Sequence, residues 1–233
     1  FRLPNNLSVV KPRSFCPKCK NKLTWSENIP IISWLIQKGK CKNCNASISI
    51  KYPFIELLTG ILFIVFVNSS PSFYNFTSNL LLNLFFSWIF LSLLLCISLI
   101  DISRFWIPQG LINFGLISGI FRLITFEILN DKFIDLFLLI KGFSLPLISF
   151  LIFESLRHFA KYIFKKDAIG KGDSKLVGML AIWLGPIGTI FAVGLSYVLA
   201  AIYCFVGLSM KFLKFRQIIP FAPFLSLGGL IVW

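Results

Sequence analysis

Apolar positions gather into seven runs, at about 54 to 67, 79 to 100, 107 to 126, 134 to 156, 175 to 193, 194 to 210 and 217 to 233. Most come close to the roughly 20 residues a helix needs to cross the hydrocarbon core of a bilayer. The pattern predicts an all-α polytopic membrane fold with about seven transmembrane helices. Ahead of the first run, residues 1 to 51 are polar. The chain therefore divides into a small polar domain, 1–52, and a transmembrane domain, 53–233.

Composition agrees with the pattern. Of 233 residues 57% are hydrophobic and 14% charged, against roughly a quarter charged in soluble domains. The net charge of +14 raises the question of nucleic acid, but the basic residues sit in particular loops, which is how membrane proteins are oriented. Residues 1 to 51 hold ten Lys and Arg against Glu27 alone and are expected in the cytoplasm. The uncharged stretch 68 to 78 is expected outside, and the basic stretches 157 to 174 and 211 to 216 inside. The lipid bilayer, not nucleic acid, is the expected partner. The chain opens on Phe1, as a fragment or processed chain would.

This topology places Asp101, at the end of the second run, and Asp173, just before the fifth, on one face at one depth. An acid at the end of an apolar span is a functional candidate, although alone Asp101 reads as a helix-end acid paired with Arg104. Alone Asp173, in Gly170-Lys171-Gly172-Asp173-Ser174-Lys175, reads as an N-cap, with Gly170 and Gly172 permitting a tight path into the next helix and Lys175 completing a supporting loop. The Gly-Lys-Gly triplet lacks the rest of a phosphate-binding loop. Together the two acids form a candidate catalytic dyad: an ionised carboxylate can activate water while a protonated one polarises a peptide carbonyl. His158, the single histidine, argues against a serine or cysteine triad.

A second constellation is Cys16-Pro17-Lys18-Cys19 with Cys41-Lys42-Asn43-Cys44. Two Cys-x-x-Cys pairs suit a tetrahedral zinc site; disulfides or redox couples are the alternative. Zinc would supply the cross-link that a short polar segment lacks for want of a core. Cys96 and Cys204 lie in apolar runs and are expected to act as small core residues.

These residues, with Arg2-Leu3-Pro4, Pro12-Arg13-Ser14, Glu27-Asn28-Ile29-Pro30, Ser33-Trp34-Leu35, Tyr52-Pro53, Glu56-Leu57-Leu58-Thr59-Gly60, Ile107-Pro108 and Ile219-Pro220-Phe221-Ala222-Pro223-Phe224, resemble the bacterial type IV prepilin peptidases, or leader peptidase/N-methyltransferases, of the Gly-x-Gly-Asp aspartic protease group. The resemblance runs nearly the whole length. It implies an enzyme of the bacterial inner membrane that removes the basic leader from type IV prepilins and pseudopilins at the cytoplasmic face, then N-methylates the new N-terminus from S-adenosylmethionine. It implies Asp101 and Asp173 as catalytic residues, and Cys16, Cys19, Cys41 and Cys44 as a domain linked to metal and to methyl transfer. Two departures stand out. Gln109 replaces an acid usual after the proline, and a further helix is expected ahead of Arg2. Other intramembrane aspartic proteases lack the four-cysteine segment. The alternative from another class is a non-catalytic transporter or assembly subunit with a zinc-binding docking loop.

Overall fold

The computed structural model describes residues 13–68, 78–129, 136–165, 170–215 and 217–233. The motif Arg2-Leu3-Pro4 and most of the uncharged stretch 68 to 78 lie outside them. Among the described residues the structure is helical: α1 Ile32–Ile36, α2 Lys51–Asn68, α3 Ser78–Arg104, α4 Gln109–Leu129, α5 Leu136–Phe164, α6 Lys171–Ser209 and α7 Ala222–Val232. Three of them, α3 over Leu81–Arg104, α4 over Gln109–Phe126 and α6, are long and apolar enough to cross a membrane. The chain forms two compact units, Phe1–Leu80 and Leu81–Trp233.

In the first unit two isolated antiparallel bridges, Phe15 to Lys22 and Lys40 to Ser47, each close a turn around a Cys-x-x-Cys pair. The turns share one hydrogen-bond plan. Cys16 N–H donates to Asn21 O and Lys20 N–H to Cys16 O; Cys41 N–H donates to Ala46 O and Asn45 N–H to Cys41 O, all within 2.8–2.9 Å. Lys20 and Asn45, four residues after the first cysteine of each pair, are both left-handed at φ 57° and 54°. Between the knuckles Trp34 Nε1 donates to Ile48 O at 3.1 Å. A Cβ on Gly39, at φ +68°, would stand 2.9 Å from the Trp34 ring, so both conformation and space call for glycine there. Then α2 carries Phe54, Leu57, Ile61 and Ile64 on its exposed surface, a face suited to lipid.

In the second unit the core joins Phe86, Phe90, Leu94 and Ile97 of α3 to Ile112 of α4, Phe153 of α5, Leu176, Leu180 and Trp183 of α6, and Leu225 of α7. Lipid tails are as apolar as these side chains, so close packing and hydrogen bonds must hold such helices together. The Trp183 ring stacks on Phe90 at 4.8 Å and its Nε1 donates to Gly115 O at 2.9 Å. Where Cβ atoms on Gly115 and Gly119 would project, Met179, Ile182 and Trp183 already stand, so α4 lies tight on α6. Gly228 of α7 likewise abuts the Ala192 carbonyl and the Ser196 hydroxyl.

The 39 residues of α6 are two helices in one run. At Gly185 the backbone leaves the helix with φ 71° and ψ 179°, and Pro186 follows. Proline drives its predecessor out of the helical region, and glycine alone takes this φ freely. The chain folds back here: neighbouring glycines of α7, Gly228 and Gly229, touch Ala192 and Leu180, one on each arm. Tyr197 lies within the field of Asp173, although 24 residues of straight helix would part them by about 36 Å. Thr189 Oγ1 donates to the Gly185 carbonyl at 2.6 Å, one helical turn back along the second arm. The expected boundary at 193/194 is therefore wrong; the reversal is at 185/186. The first arm, near 21 Å long by helix rise, is shorter than the roughly 30 Å hydrocarbon core.

Candidate active site and metal centre

Along α3 the buried side chains Phe90, Leu94, Ile97 and Asp101 recur at helical spacing, so Asp101 continues the core stripe by one more turn. Its carboxylate faces the protein. Oδ2 accepts the backbone N–H of Ala222 at 3.2 Å, a donor that is free because it opens α7 and has no partner within its own helix. Asp173, the third residue of α6, is 7% exposed. Its Oδ2 accepts the Gly170 N–H at 3.2 Å, so Gly170 is the cap and Asp173 reaches back to it, the acidic half of a capping box. The expected N-cap role for Asp173 is corrected accordingly. The two aspartates are close enough for the charge of Asp101 to act on Asp173, although 72 residues separate them.

The glycines of this loop serve space, not unusual backbone angles. Gly170 has an ordinary extended conformation at φ −70°, ψ 143°. A Cβ on Gly170 would meet Asp173 Oδ2 at 2.9 Å, and one on Gly172 would meet three atoms of Ile107 at 2.9–3.1 Å. Lys175 Nζ donates to Gln109 Oε1, and Gln109 Nε2 donates to Asn113 Oδ1 at 2.8 Å. The start of α4 is thus tied to the start of α6 beside the aspartates. An acid at position 109 would make the Lys175 contact an ion pair; glutamine keeps it as a hydrogen bond to a cation.

Two contributors had no assigned role from sequence. Ala222 supplies a backbone donor within a motif noted only for its resemblance, where Pro220 and Pro223 could have flagged a helix start with free N–H groups. Tyr197, returned by the reversal of α6, packs on Phe221 at 5.1 Å between ring centres and borders the site. His158 sits 3.6 Å from Glu154, which also holds Arg157, so it is engaged with an acid of its own helix. Cys96 lies exposed on α3, against the expectation of a core position.

In the first unit the four sulfurs of Cys16, Cys19, Cys41 and Cys44 lie within 4.8 Å of one another. Cys16 Sγ and Cys44 Sγ are 3.9 Å apart, close to the roughly 3.8 Å edge of a tetrahedron with 2.3 Å zinc–sulfur bonds and far from a disulfide's roughly 2.05 Å. All four are free thiols, and no disulfide joins them. Backbone N–H groups of Cys19 and Lys18 hold the Cys16 thiol down at about 6. For Cys19 the Asn21 N–H also pulls down, but lost hydration and the thiols of Cys16, Cys44 and Cys41 push it up to about 11. One thiolate thus opposes the next, and a dication would relieve the conflict. The donor set fits zinc.

Comparison with known proteins follows from these features. The bacterial peptidase A24 N-terminal domain matches residues 1–69, and the type IV leader peptidase family matches residues 88–205, a stretch that includes both aspartates. The chain belongs to the type IV leader peptidase family. The prepilin leader peptidase/N-methyltransferase of Myxococcus xanthus is 34% identical over 78% of this chain and 50% of its own length. This chain thus spans about half of that relative. The type 4 prepilin-like proteins leader peptide-processing enzyme of Escherichia coli O78:H11 is 31% identical over 97% of this chain and 77% of its own. For the prepilin leader peptidase/N-methyltransferase of Bacillus subtilis the values are 32%, 100% and 85%. No solved structure matches.

For this leader peptidase family member the glycine packing makes a direct prediction. Gly172→Val forces Ile107 aside and is expected to cost about 1–3 kcal/mol as overpacking, read as a lowered thermal midpoint in detergent. Gly110→Ala, where a Cβ meets nothing within 4 Å, should leave the midpoint unchanged or slightly raised, since alanine favours helix by about 0.5–1 kcal/mol.

Proposed function

We propose that this chain is a prepilin peptidase in which Asp101 and Asp173 hydrolyse the bond between the basic leader and the apolar helix of type IV prepilins or pseudopilins, at the cytoplasmic face of the bacterial inner membrane. The reading is supported above all by two buried carboxylates at the ends of apolar helices, Asp101 on α3 and Asp173 on α6. Each carboxylate is oriented by one backbone N–H on Oδ2, which leaves Oδ1 for water or substrate. The ionised member takes a proton from water as it attacks the scissile carbonyl. The protonated member donates to the carbonyl oxygen, and the proton taken from water passes on to the leaving amine. Family membership and the names of the relatives support the substrate class. The prepilin's apolar helix lies in the bilayer and its leader in the cytoplasm, so its cleavage point falls at the depth where α3 ends and α6 begins.

The names of the relatives also support N-methylation of the new N-terminus. S-adenosylmethionine would supply the methyl group, and zinc on Cys16, Cys19, Cys41 and Cys44 would hold the first unit together. The test is to incubate the protein in membranes with a prepilin carrying its leader and weigh the products. Loss of the leader mass establishes the peptidase, and a further gain of one methyl establishes the transferase. A folded, zinc-loaded protein that leaves prepilin intact refutes the reading in favour of a transport or assembly subunit.

A further inference from the structure

Residues 1 to 51, for all their ten Lys and Arg, also carry large apolar side chains on the outside. Trp25 and Ile36 are each 76% exposed, and Ile32 and Leu35 are more than half exposed. Ile32, Leu35 and Ile36 stand three and four residues apart on α1 and so share one face. The other face, Ser33, Trp34 and Gln37, lines an interior cavity of about 630 Å³ together with Glu27 and Glu56. The short 3-10 turn Ser26–Asn28, which follows Trp25, packs against α1. An apolar patch set among polar residues marks a surface that is covered in use.

The place of α1 along α2 points to the cover. Ile31 N–H, at the start of α1, donates to Glu56 Oε2 at 2.8 Å, and Glu56 is the sixth residue of α2. By helix rise α1 is therefore moored roughly 8 Å along α2 from Lys51, level with Phe54 and Leu57, the first exposed apolar residues of α2. Interfacial helices ride with their apolar face about 5–10 Å into the boundary between headgroups and acyl chains. Charge agrees with this depth. Lys38 and Lys40 follow α1 directly, their N–H groups on Leu35 O and Gln37 O, and Lys51 opens α2. All three are exposed, and among the described residues none of them forms an ion pair. The acids Glu27 and Glu56 are occupied instead with the N–H groups of Thr24 and Ile31.

We infer that α1 and Trp25 form an interfacial anchor by which the cysteine unit lies on the bilayer that its own α2 enters. Ile32, Leu35 and Ile36 sit among the upper acyl chains, and Lys38, Lys40 and Lys51 meet the phosphates of anionic lipids. Tryptophan suits this level, with an apolar ring and an N–H that stays wet. Anionic headgroups attract basic segments beside a membrane helix over about one Debye length. The two contributions differ in their response to salt: the lysine contacts are screened and the apolar insertion is not. Held in this way, the two knuckles keep one fixed face to the membrane. The contact is independent of leader cleavage and of methyl transfer.

The test places the full chain in nanodiscs of phosphatidylcholine, alone or mixed with phosphatidylglycerol, with bromine high on the acyl chains. The tryptophan emission that Trp25→Phe removes is expected to be quenched by the bromine. Amides 32–38 are expected to exchange hydrogen about tenfold more slowly with phosphatidylglycerol present than without it, and high salt should erase that difference. Leu35→Asp with Ile36→Asp should undo both effects at unchanged zinc content, since both side chains are exposed and neither supports the knuckles. Lys38→Gln, Lys40→Gln and Lys51→Gln together should remove the response to phosphatidylglycerol and leave part of the quenching. Unquenched Trp25 emission, or exchange at 32–38 that is the same in both lipids, overturns the inference. Slowing that appears only with added prepilin, or only with two copies per disc, gives this face to a protein and overturns it equally.

Discussion

Asp101→Asn and Asp173→Asn are each expected to lower the rate of leader cleavage by at least about a thousand-fold, within the range that positioned acid and base groups contribute. Asparagine keeps one oxygen to accept the Ala222 or Gly170 N–H, so the tethers at 3.2 Å can persist and the fold has no reason to fail. What is lost is the charge that draws a proton from water, or the proton that polarises the carbonyl. Neither partner can do both jobs, so the two variants should be equally inactive and the double variant little worse than either, as for groups that act as a unit. Stability should move the other way. A buried carboxylate beside a second one opposes folding, because it must either stay charged without water or take up a proton, and an amide in its place removes that cost. Thermal midpoints in detergent are therefore expected at or above the wild-type value. Cleavage by either Asn variant at a rate near wild type would show that the aspartates are structural.

The route to this site from sequence was partly open. Topological parity brings Asp101 and Asp173 to one face, and the buried stripe through Phe90, Leu94 and Ile97 points Asp101 into the protein. Hydrophobic length alone then misleads in α6. The apolar stretch from 175 to 210 has no polar interruption, so dividing it by length puts the break in the middle of a helix. The physical signal was the dipeptide Gly185-Pro186, which no purely hydropathic reading weighs. That reversal returns Tyr197 to the aspartates. The role of α7 was hidden for another reason: its contribution to Asp101 is the Ala222 backbone N–H, and a backbone donor leaves no mark in residue chemistry. Side-chain identity also misdirects at Gly170 and Gly172, where glycine is required by the approach of Asp173 and Ile107 and not by the path of the chain. In the first unit the two Cys-x-x-Cys pairs announced the cluster of four thiols, and no spacing rule announces that Glu27 and Glu56, 29 residues apart, line one cavity.

Removing zinc is expected to unfold the cysteine unit while sparing the helical one. From residue 13 to residue 50 the buried side chains are Cys16 and Cys41, both members of the thiol cluster, so this segment has almost no apolar core to fall back on. Structural zinc sites in small domains carry apparent binding energies of about 10–16 kcal/mol at neutral pH, far more than one tryptophan and two bridged turns can replace. The core of the second unit, by contrast, runs from Phe86 to Leu225 and includes no residue of the first. Purified protein should carry one zinc per chain by elemental analysis, and the paired substitution of Cys16 and Cys41 by Ser should carry almost none. In that variant, or after treatment with a strong chelator, amides between residues 13 and 50 should lose their protection from hydrogen exchange, whereas those of α3, α4 and α6 keep theirs. Full protection of residues 13 to 50 in zinc-free protein would mean that the four thiols are not the core of this unit.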